Sequence, residues 1–248
     1  MNVATISYDS PEILERFAKQ HRITYPMLAD HGSIVIRKFG ILNTNVPPDT
    51  RFYGIPFPGL YLLAPDGTVR DKLFLPDFQT RPSASELLLT HYGMPAAENG
   101  LTVAAEDVRA TIILSDNRSF GGQRLGTAVD FVVGPGWHIY GEPLPTDYTP
   151  TSVRFDDTLV ASQSLTFPKP KPVKFDLLGE VLPVYEGKFK AGGYILLKQK
   201  LPAGQHKLAG TINFQECNDN ICKLPQSARF EIPITIDAYV PATAKNKS

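Results

Sequence analysis

The sequence predicts two domains, an α/β domain followed by an antiparallel β-sandwich. Strand and helix patterns alternate over the first part of the chain, whereas only strand patterns follow residue 100, and a small, polar segment at 96–100 separates the two parts. The chain of 248 residues fits one or two domains of ordinary size. We therefore place the domain boundary between residues 97 and 98.

The first domain is predicted from strands, helices with clear start and stop signals, and a β-hairpin. Its first strand is Val3–Ser7, and the helix that follows has Ser10 as N-cap and Pro11 at its first position. Asp30 is expected to cap a second short helix that ends at Gly40. The remaining predicted elements are the strands Leu60–Leu63 and Val69–Leu75, joined by the turn Pro65-Asp66-Gly67, and a helix from Ser83 or Ser85 to about Tyr92.

The second domain is predicted to consist of strands. Segments rich in β-branched and aromatic residues alternate with clusters of Gly, Pro, Asn and Asp, a spacing typical of an antiparallel sandwich. We interpret Lys169-Pro170-Lys171-Pro172 as a stiff, solvated loop. The predicted strands are Leu101–Leu114, Gly126–Val133, Trp137–Tyr140, Ser152–Phe155, Leu159–Phe167, Tyr194–Leu201, Lys207–Phe214 and Ala228–Ile236.

Composition and charge exclude several functions. Lys+Arg and Asp+Glu each total 25, so nucleic acid is not expected as a partner, because phosphate binding needs an uncompensated basic surface. No apolar run approaches the roughly 18 to 20 residues that span a bilayer, and the first residues lack a signal-peptide pattern. No metal or organic cofactor is expected, since a zinc site needs about four ligands at suitable spacing.

The two cysteines, Cys217 and Cys222, lie close together between two predicted strands. Asn218, Asp219 and Asn220 favour a tight turn, and a hairpin with this tip brings the flanking cysteines to about disulfide distance. A bridge across six residues stabilises a fold by only about 2 kcal/mol, against about 4.7 kcal/mol for a 100-residue loop. The small gain favours a redox role, with a structural bridge or two separate thiols as the alternatives.

Three segments of the second domain match a known family. They are Glu216-Cys217 with Ile221-Cys222-Lys223-Leu224-Pro225, the aromatic segment Gly136-Trp137-His138-Ile139-Tyr140, and Phe175-Asp176-Leu177-Leu178-Gly179-Glu180 with the later Tyr185. Over about residues 100–240 the chain resembles the N-terminal periplasmic domain of the thiol:disulfide interchange protein DsbD. The resemblance implies an immunoglobulin-like sandwich and an oxidoreductase that acts as a thiol–disulfide relay.

The resemblance also implies a role for each cysteine. Cys222 is assigned as the attacking sulfur and Cys217 as the resolving one. The neighbouring charges agree with this assignment of the attacking and resolving sulfur. Lys223 is expected to lower the pKa of the Cys222 thiol, and Glu216 is expected to raise the pKa of the Cys217 thiol.

Further residues are implied to line this site. They include Tyr140 and Asp176, for which a core tyrosine and a loop acid are the alternative interpretations. In the family an aromatic side chain on a capping loop shields the disulfide, and the corresponding residue here is Leu177 or Leu178. The implied partners are thioredoxin-like or disulfide-bearing proteins in the periplasm or another oxidising, exported compartment.

The first domain has a resemblance of its own. Its element order and the segment 57–69, Phe-Pro-Gly-Leu-Tyr-Leu-Leu-Ala-Pro-Asp-Gly-Thr-Val, are similar to the second half of a thioredoxin-like fold in the alkyl hydroperoxide reductase/thiol-specific antioxidant group. Pro58, with Pro56 as a competing candidate, matches a proline that is often cis and lies beside the active cysteine. That cysteine precedes the strand matching Val3–Ser7, and residues 1–100 contain none. We therefore expect an incomplete thioredoxin-like domain, without peroxidase activity, in a natural chain that begins further upstream.

Two functions follow from these features. The favoured one is thiol:disulfide interchange with a protein partner through Cys217 and Cys222. The alternative is a non-catalytic binding or scaffold protein in which the hairpin disulfide is structural. Reversible exchange with a thioredoxin-like protein separates the two.

Overall fold

The computed structural model describes residues 2–74, 82–94, 100–145, 147–175 and 179–238. The chain divides into two compact units, residues 1–81 and 82–248. Within the described ranges, no helix combines the length and the apolar character that crossing a bilayer requires.

The first unit contains two helices and two pairs of strands. Its elements are β1 (Thr5–Ser7), α1 (Pro11–His21), β2 (Met27–Ala29), α2 (Ile34–Lys38), β3 (Gly59–Leu63) and β4 (Val69–Phe74). Strands β1 and β2 are parallel, with Ile6 opposite Leu28, and β3 and β4 form an antiparallel hairpin. These positions confirm the predicted elements, and the thioredoxin-like assignment of this unit stays a prediction.

The predicted cap of the second helix is confirmed at Asp30. Its carboxylate accepts hydrogen bonds from the backbone N–H groups of Val35 (3.0 Å) and Ile36 (2.8 Å). Burial by itself would raise the pKa of this carboxyl, but the bonds from Ile36, Val35 and Ile34 hold it below its ordinary value. The anion therefore satisfies amides that a helix start leaves unpaired.

The second unit is a β-sandwich with an additional small sheet. Its strands are β5 (Leu101–Ala104), β6 (Val108–Leu114), β7 (Arg118–Ser119), β8 (Arg124–Val133), β9 (His138–Tyr140), β10 (Ser152–Phe155), β11 (Val160–Thr166), β12 (Lys171–Phe175), β13 (Glu180–Tyr185), β14 (Lys188–Leu197), β15 (Gly204–Phe214), β16 (Glu216–Cys217) and β17 (Gln226–Ile236). One sheet has the order β11-β14-β8-β6-β5, the facing sheet β10-β15-β17-β7, and the small sheet β12-β13-β9-β16. Within this unit, the described strand pairings are antiparallel except that of β17 with β7.

The main core lies between the two larger sheets. Alternate residues of each central strand point inward, so Ile112, Val129 and Ile195 of one sheet meet Ile212 and Ile232 of the other. All five are at most 2% exposed. Their removal from water supplies the main stabilisation of this unit.

Several segments differ from the sequence prediction. Strands β7 and β13 were not predicted, and β14 begins at Lys188 rather than at Tyr194. Leu101–Leu114 is not one strand but the two strands β5 and β6, which pair with each other. The stretch interpreted as a loop at Lys169–Pro172 enters strand β12, where Pro172 lies opposite Pro183. Proline is tolerated in β12 because this strand is at the edge of its sheet. At an edge, a residue without an N–H need not remove a hydrogen bond between strands.

Helix α3 (Ala84–Tyr92) begins as predicted but packs on the second unit. Ser83 caps it by accepting a hydrogen bond from the Glu86 N–H (3.0 Å). Gly126 of β8 lies against the helix so closely that a Cβ there would be 2.9 Å from the Glu86 Cα. The units accordingly divide between residues 81 and 82, earlier than the expected boundary at 97/98. Cap signals reveal where a helix starts but not which sheet its buried face meets.

We expect the change Arg124→Met to destabilise the second unit by about 3 kcal/mol at pH 7. The Arg124 Nε donates a hydrogen bond of 2.7 Å to the Glu86 Oε1, and the Arg124 Nη2 lies 2.7 Å from the same oxygen. The Glu86 side chain is 2% exposed. The change leaves a buried carboxylate without its partner. Urea unfolding, followed by the fluorescence of Trp137, the single tryptophan, measures the loss.

A matched control is Arg118→Met, which removes an exposed ion pair to Asp237 and should leave stability close to wild type. Burial raises the pKa of Glu86, although Arg124 opposes this shift. The loss of stability in the Arg124 variant should therefore become smaller as the pH falls, because Glu86 then takes up a proton and is no longer a buried charge. Equal stabilities of the two variants at pH 7 would contradict the prediction.

Candidate functional site

The small sheet positions the cysteine hairpin. Strand β16 pairs with β9, which places Cys217 directly opposite His138. The chain then turns through Asn218, whose N–H donates to the Ile221 carbonyl (2.9 Å) and whose side-chain oxygen accepts from the Asn220 and Ile221 N–H groups (2.9 Å each). This is the side-chain-stabilised turn that the residue types predict.

The hairpin closes on a disulfide between Cys217 and Cys222, whose Cα atoms are 4.1 Å apart. The two residues differ in exposure: Cys217 is fully buried, whereas Cys222 is exposed. The disulfide predicted from the turn is thus confirmed. A thiol that approaches from solvent meets Cys222 first.

Tyr140 of β9 lies against both sulfur atoms. Its hydroxyl donates to the Cys217 Sγ at 3.1 Å and is 3.5 Å from the Cys222 Sγ. The Tyr140 ring packs edge-on against Tyr148, whose hydroxyl donates to Glu180. Burial, with smaller contributions from Tyr148 and Glu180, raises the pKa of Tyr140 to about 12. Tyr140 therefore keeps its proton at neutral pH and acts as a hydrogen-bond donor to the disulfide.

His138 is a second buried polar group beside the hairpin. It is 4% exposed, and its ring contacts Phe175 at 4.9 Å between centroids. Its Nε2 has no hydrogen-bond partner among the residues described. Burial lowers its pKa, against the charges of Glu186 and Asp219, so the imidazole is neutral at pH 7. The sequence prediction did not assign it to the site, although its spacing of two from Tyr140 puts both side chains on one face of a strand.

The Lys223 side chain makes several contacts beside the hairpin. Its ammonium donates to Glu216 (2.6 Å), Asp107 (2.7 Å) and Glu106 (2.9 Å), and it lies 4.1 Å from the centre of the Trp137 ring. Burial alone would lower the pKa of Lys223, but these carboxylates raise it above its ordinary value. The positive charge is thus matched by three negative ones. The expected effect of Lys223 on the pKa of the Cys222 thiol stays a prediction, because a disulfide-bonded cysteine does not titrate.

An open groove of about 380 Å³ adjoins the site. Two of its lining residues, Leu144 and Tyr148, pack on the buried cluster that contains Tyr140 and Cys217. The groove is lined by Glu142, Pro143, Leu144, Pro145, Tyr148 and Pro150. It offers a mostly apolar surface next to the hairpin.

Three further residues were predicted to line a site, namely Pro58, Asp176 and Leu177. Pro58 belongs to the first unit, not to the unit that carries the cysteines. Of the peptide bonds described, only Glu142–Pro143 is cis, so the bond before Pro58 is trans. Asp176 and Leu177, with the alternative Leu178, fall outside the described residues.

Comparison with protein families identifies the second unit. The model described as "Thiol:disulfide interchange protein DsbD, N-terminal" matches residues 110–233, half of the chain, and this range contains both cysteines. The chain belongs to the DsbD N-terminal family. The predicted immunoglobulin-like sandwich is confirmed with it. Residues 1–72 match the AhpC/TSA family, in agreement with the resemblance of the first unit.

Solved structures provide remote similarities to this DsbD-family chain. The N-terminal periplasmic domain of ScsB from Proteus mirabilis has 12% identity and a TM-score of 0.41, covering 58% of this chain and 52% of that one. The reduced Neisseria meningitidis DsbD N-terminal domain has 15% identity, a TM-score of 0.31, and coverage of 58% and 93%. The yeast GGA1 GAE domain has 9% identity, a TM-score of 0.33, and coverage of 54% and 98%. The chain thus spans about half the length of the ScsB domain, and no curated protein matches it.

Family membership and the hairpin disulfide together indicate a thiol–disulfide relay in general terms. The arrangement of the site suits such chemistry, because one cysteine is exposed and the other is buried beside a tyrosine that keeps its proton.

Proposed function

We propose that this protein exchanges its Cys217–Cys222 disulfide with a thioredoxin-like or disulfide-bearing protein in the periplasm or another oxidising compartment. The observation that carries the proposal is the asymmetry of the pair. Cys222 is exposed, and Cys217 is fully buried with its sulfur accepting a hydrogen bond from Tyr140. A structural bridge has no need of one accessible sulfur and one supported leaving group.

The reaction proceeds in two exchange steps. A partner thiolate attacks the Cys222 Sγ, the Cys217–Cys222 bond breaks, and Cys217 leaves as a thiolate that accepts the Tyr140 hydrogen bond. The second thiolate of the partner then attacks the partner sulfur of the mixed disulfide and releases Cys222. Two electrons and two protons pass from the partner dithiol to the pair, and the partner becomes oxidised. The same steps in reverse reduce a disulfide of the partner.

The surface around Cys222 supports contact with a protein. A mixed disulfide requires a partner to cover this surface, and Ile221 and Leu224 flank the cysteine with 57% and 85% of their areas exposed. The nearby proline-rich groove extends the apolar area. Asp176 and Leu177 stay predicted members of this site. Pro58 stays a predicted site residue of the first unit, and that unit stays a predicted thioredoxin-like domain.

A redox titration of the full chain in glutathione buffers tests the proposal. The fractions of oxidised and reduced protein are read by thiol alkylation and intact mass. We expect a reversible midpoint between about −180 and −270 mV, the range of exchange proteins. A midpoint below about −300 mV, or no reversible exchange, would instead favour a structural disulfide in a binding protein.

A further inference from the structure

We propose that Lys223 is a positioning residue, which holds the two cysteines adjacent after reduction and so raises the equilibrium constant for closing the disulfide. It does so through an ion-pair clamp that consists of Lys223, Glu216 and Asp107. This inference rests on the proposed exchange reaction, because it concerns how readily the same Cys217–Cys222 pair opens and closes.

The clamp joins the two flanks of the hairpin without using the sulfur atoms. Glu216 immediately precedes Cys217, and Lys223 immediately follows Cys222. Their side chains meet at 2.6 Å, and the Lys223 N–H donates to the Glu216 carbonyl at 2.9 Å. Gln215 adds a bond from its side-chain amide to the Lys223 carbonyl at 3.1 Å. These contacts do not depend on the disulfide, so they can persist when it is reduced.

Burial makes this ion pair difficult to open. The Glu216 side chain is fully buried and that of Lys223 is 20% exposed. The second carboxylate oxygen of Glu216 has no hydrogen-bond partner in the part of the chain that the structure describes. Separating the pair would leave a buried charge unpaired, which is costly. The pair therefore fixes the base of the hairpin more firmly than an exposed ion pair can.

The same ammonium attaches the hairpin to the sandwich. Lys223 donates to Asp107, which lies between strands β5 and β6 and is 116 residues away in sequence. The ammonium also lies over the Trp137 ring, 4.1 Å from its centre. Asp107 and Trp137 immediately precede strands β6 and β9, so these contacts fix the flank that carries Cys222 to the same unit as the flank that carries Cys217.

Two thiols that the fold keeps close together form a disulfide more readily than two thiols on a mobile segment. Closing the disulfide is an intramolecular step, and its equilibrium constant increases with the effective concentration of one thiol at the other. If the clamp is lost, the flank after Cys222 gains freedom and that concentration falls. We expect Lys223→Met to lower the equilibrium constant for oxidation by glutathione about tenfold, which corresponds to about 30 mV.

The test is a glutathione titration of the full chain and its variants, each checked for folding by Trp137 fluorescence. Lys223→Arg keeps the charge and the donors and should restore the equilibrium constant to within about threefold of wild type. Lys207→Met serves as a control, because it removes an exposed ion pair to Glu231 on other strands. A folded Lys223→Met variant that titrates like wild type would overturn the proposal.

A double variant keeps the test decisive if the unpaired Glu216 prevents folding. Lys223→Met/Glu216→Gln removes both charges of the ion pair, and it should still show the lowered equilibrium constant because the side-chain link between the flanks is lost. A wild-type equilibrium constant in this variant would refute the clamp. If the wild-type protein itself shows no reversible exchange, the proposed function fails; if it exchanges and the variants match it, only the positioning role fails.

Discussion

Replacing Cys217 with serine should turn the protein into a covalent trap for its partner, whereas replacing Cys222 should abolish covalent capture. Cys222 is exposed and forms the mixed disulfide, and without Cys217 no internal thiol can resolve it. In the Cys222→Ser variant the remaining thiol is fully buried beneath the hairpin. Its reaction requires local opening, so we expect its alkylation to be about a hundredfold slower or more.

Incubation with an oxidised thioredoxin-like protein, followed by intact mass measurement without reductant, detects the adduct. The variant lacking both cysteines is the control and should form none. Fluorescence of Trp137 verifies that each variant is folded. Equal capture by the two single variants would contradict the assignment of Cys222 as the attacking sulfur.

The change Tyr140→Phe should slow reduction of the disulfide by about tenfold. The tyrosine hydroxyl donates to the Cys217 sulfur at 3.1 Å, and this sulfur becomes the thiolate leaving group. A hydrogen bond to a charged group contributes about 1.5 kcal/mol or more, and 1.4 kcal/mol corresponds to about a tenfold change in rate. Phenylalanine keeps the ring that packs on Tyr148, so the fold should persist.

The rate is measured with dithiothreitol, a small reductant that does not depend on partner docking. Tyr148→Phe is the matched control, because its hydroxyl bonds to Glu180 rather than to sulfur, and its rate should equal that of wild type. The pKa of Tyr140 is raised to about 12, so the phenol stays protonated and the wild-type-to-variant ratio should be constant from pH 6 to about pH 10. Equal rates for wild type and the Tyr140 variant would exclude its role as donor to the leaving thiolate.

The sequence was most informative where the structure depends on neighbouring residues. The turn formers Asn218–Asn220 bring the cysteines together through bonds within four residues, so the hairpin disulfide could be predicted. The cap by Asp30 and the start of α3 at Ser83 are also local. The resemblance to the DsbD N-terminal domain contributed Tyr140, which residue types alone left undecided between a core and a site tyrosine.

Sequence patterns are less informative where a residue contacts a partner that is remote along the chain. The sequence does not indicate that the Lys223 ammonium binds Asp107, which is 116 residues away. The prolines near residue 172 suggested a loop, because the position of a strand at a sheet edge is not visible in the sequence.

By itself, the sequence determined a two-part chain with a β-sandwich and a hairpin that brings two cysteines together, because hydrophobic periodicity and turn chemistry act over a few residues. Only the tertiary structure decided that Cys217 is buried and Cys222 exposed, that α3 packs on the sandwich, and that Lys223 pairs with Glu216. Burial and ion pairing arise when strands remote in sequence pack together, and no local pattern specifies which carboxylate or ring a side chain will meet.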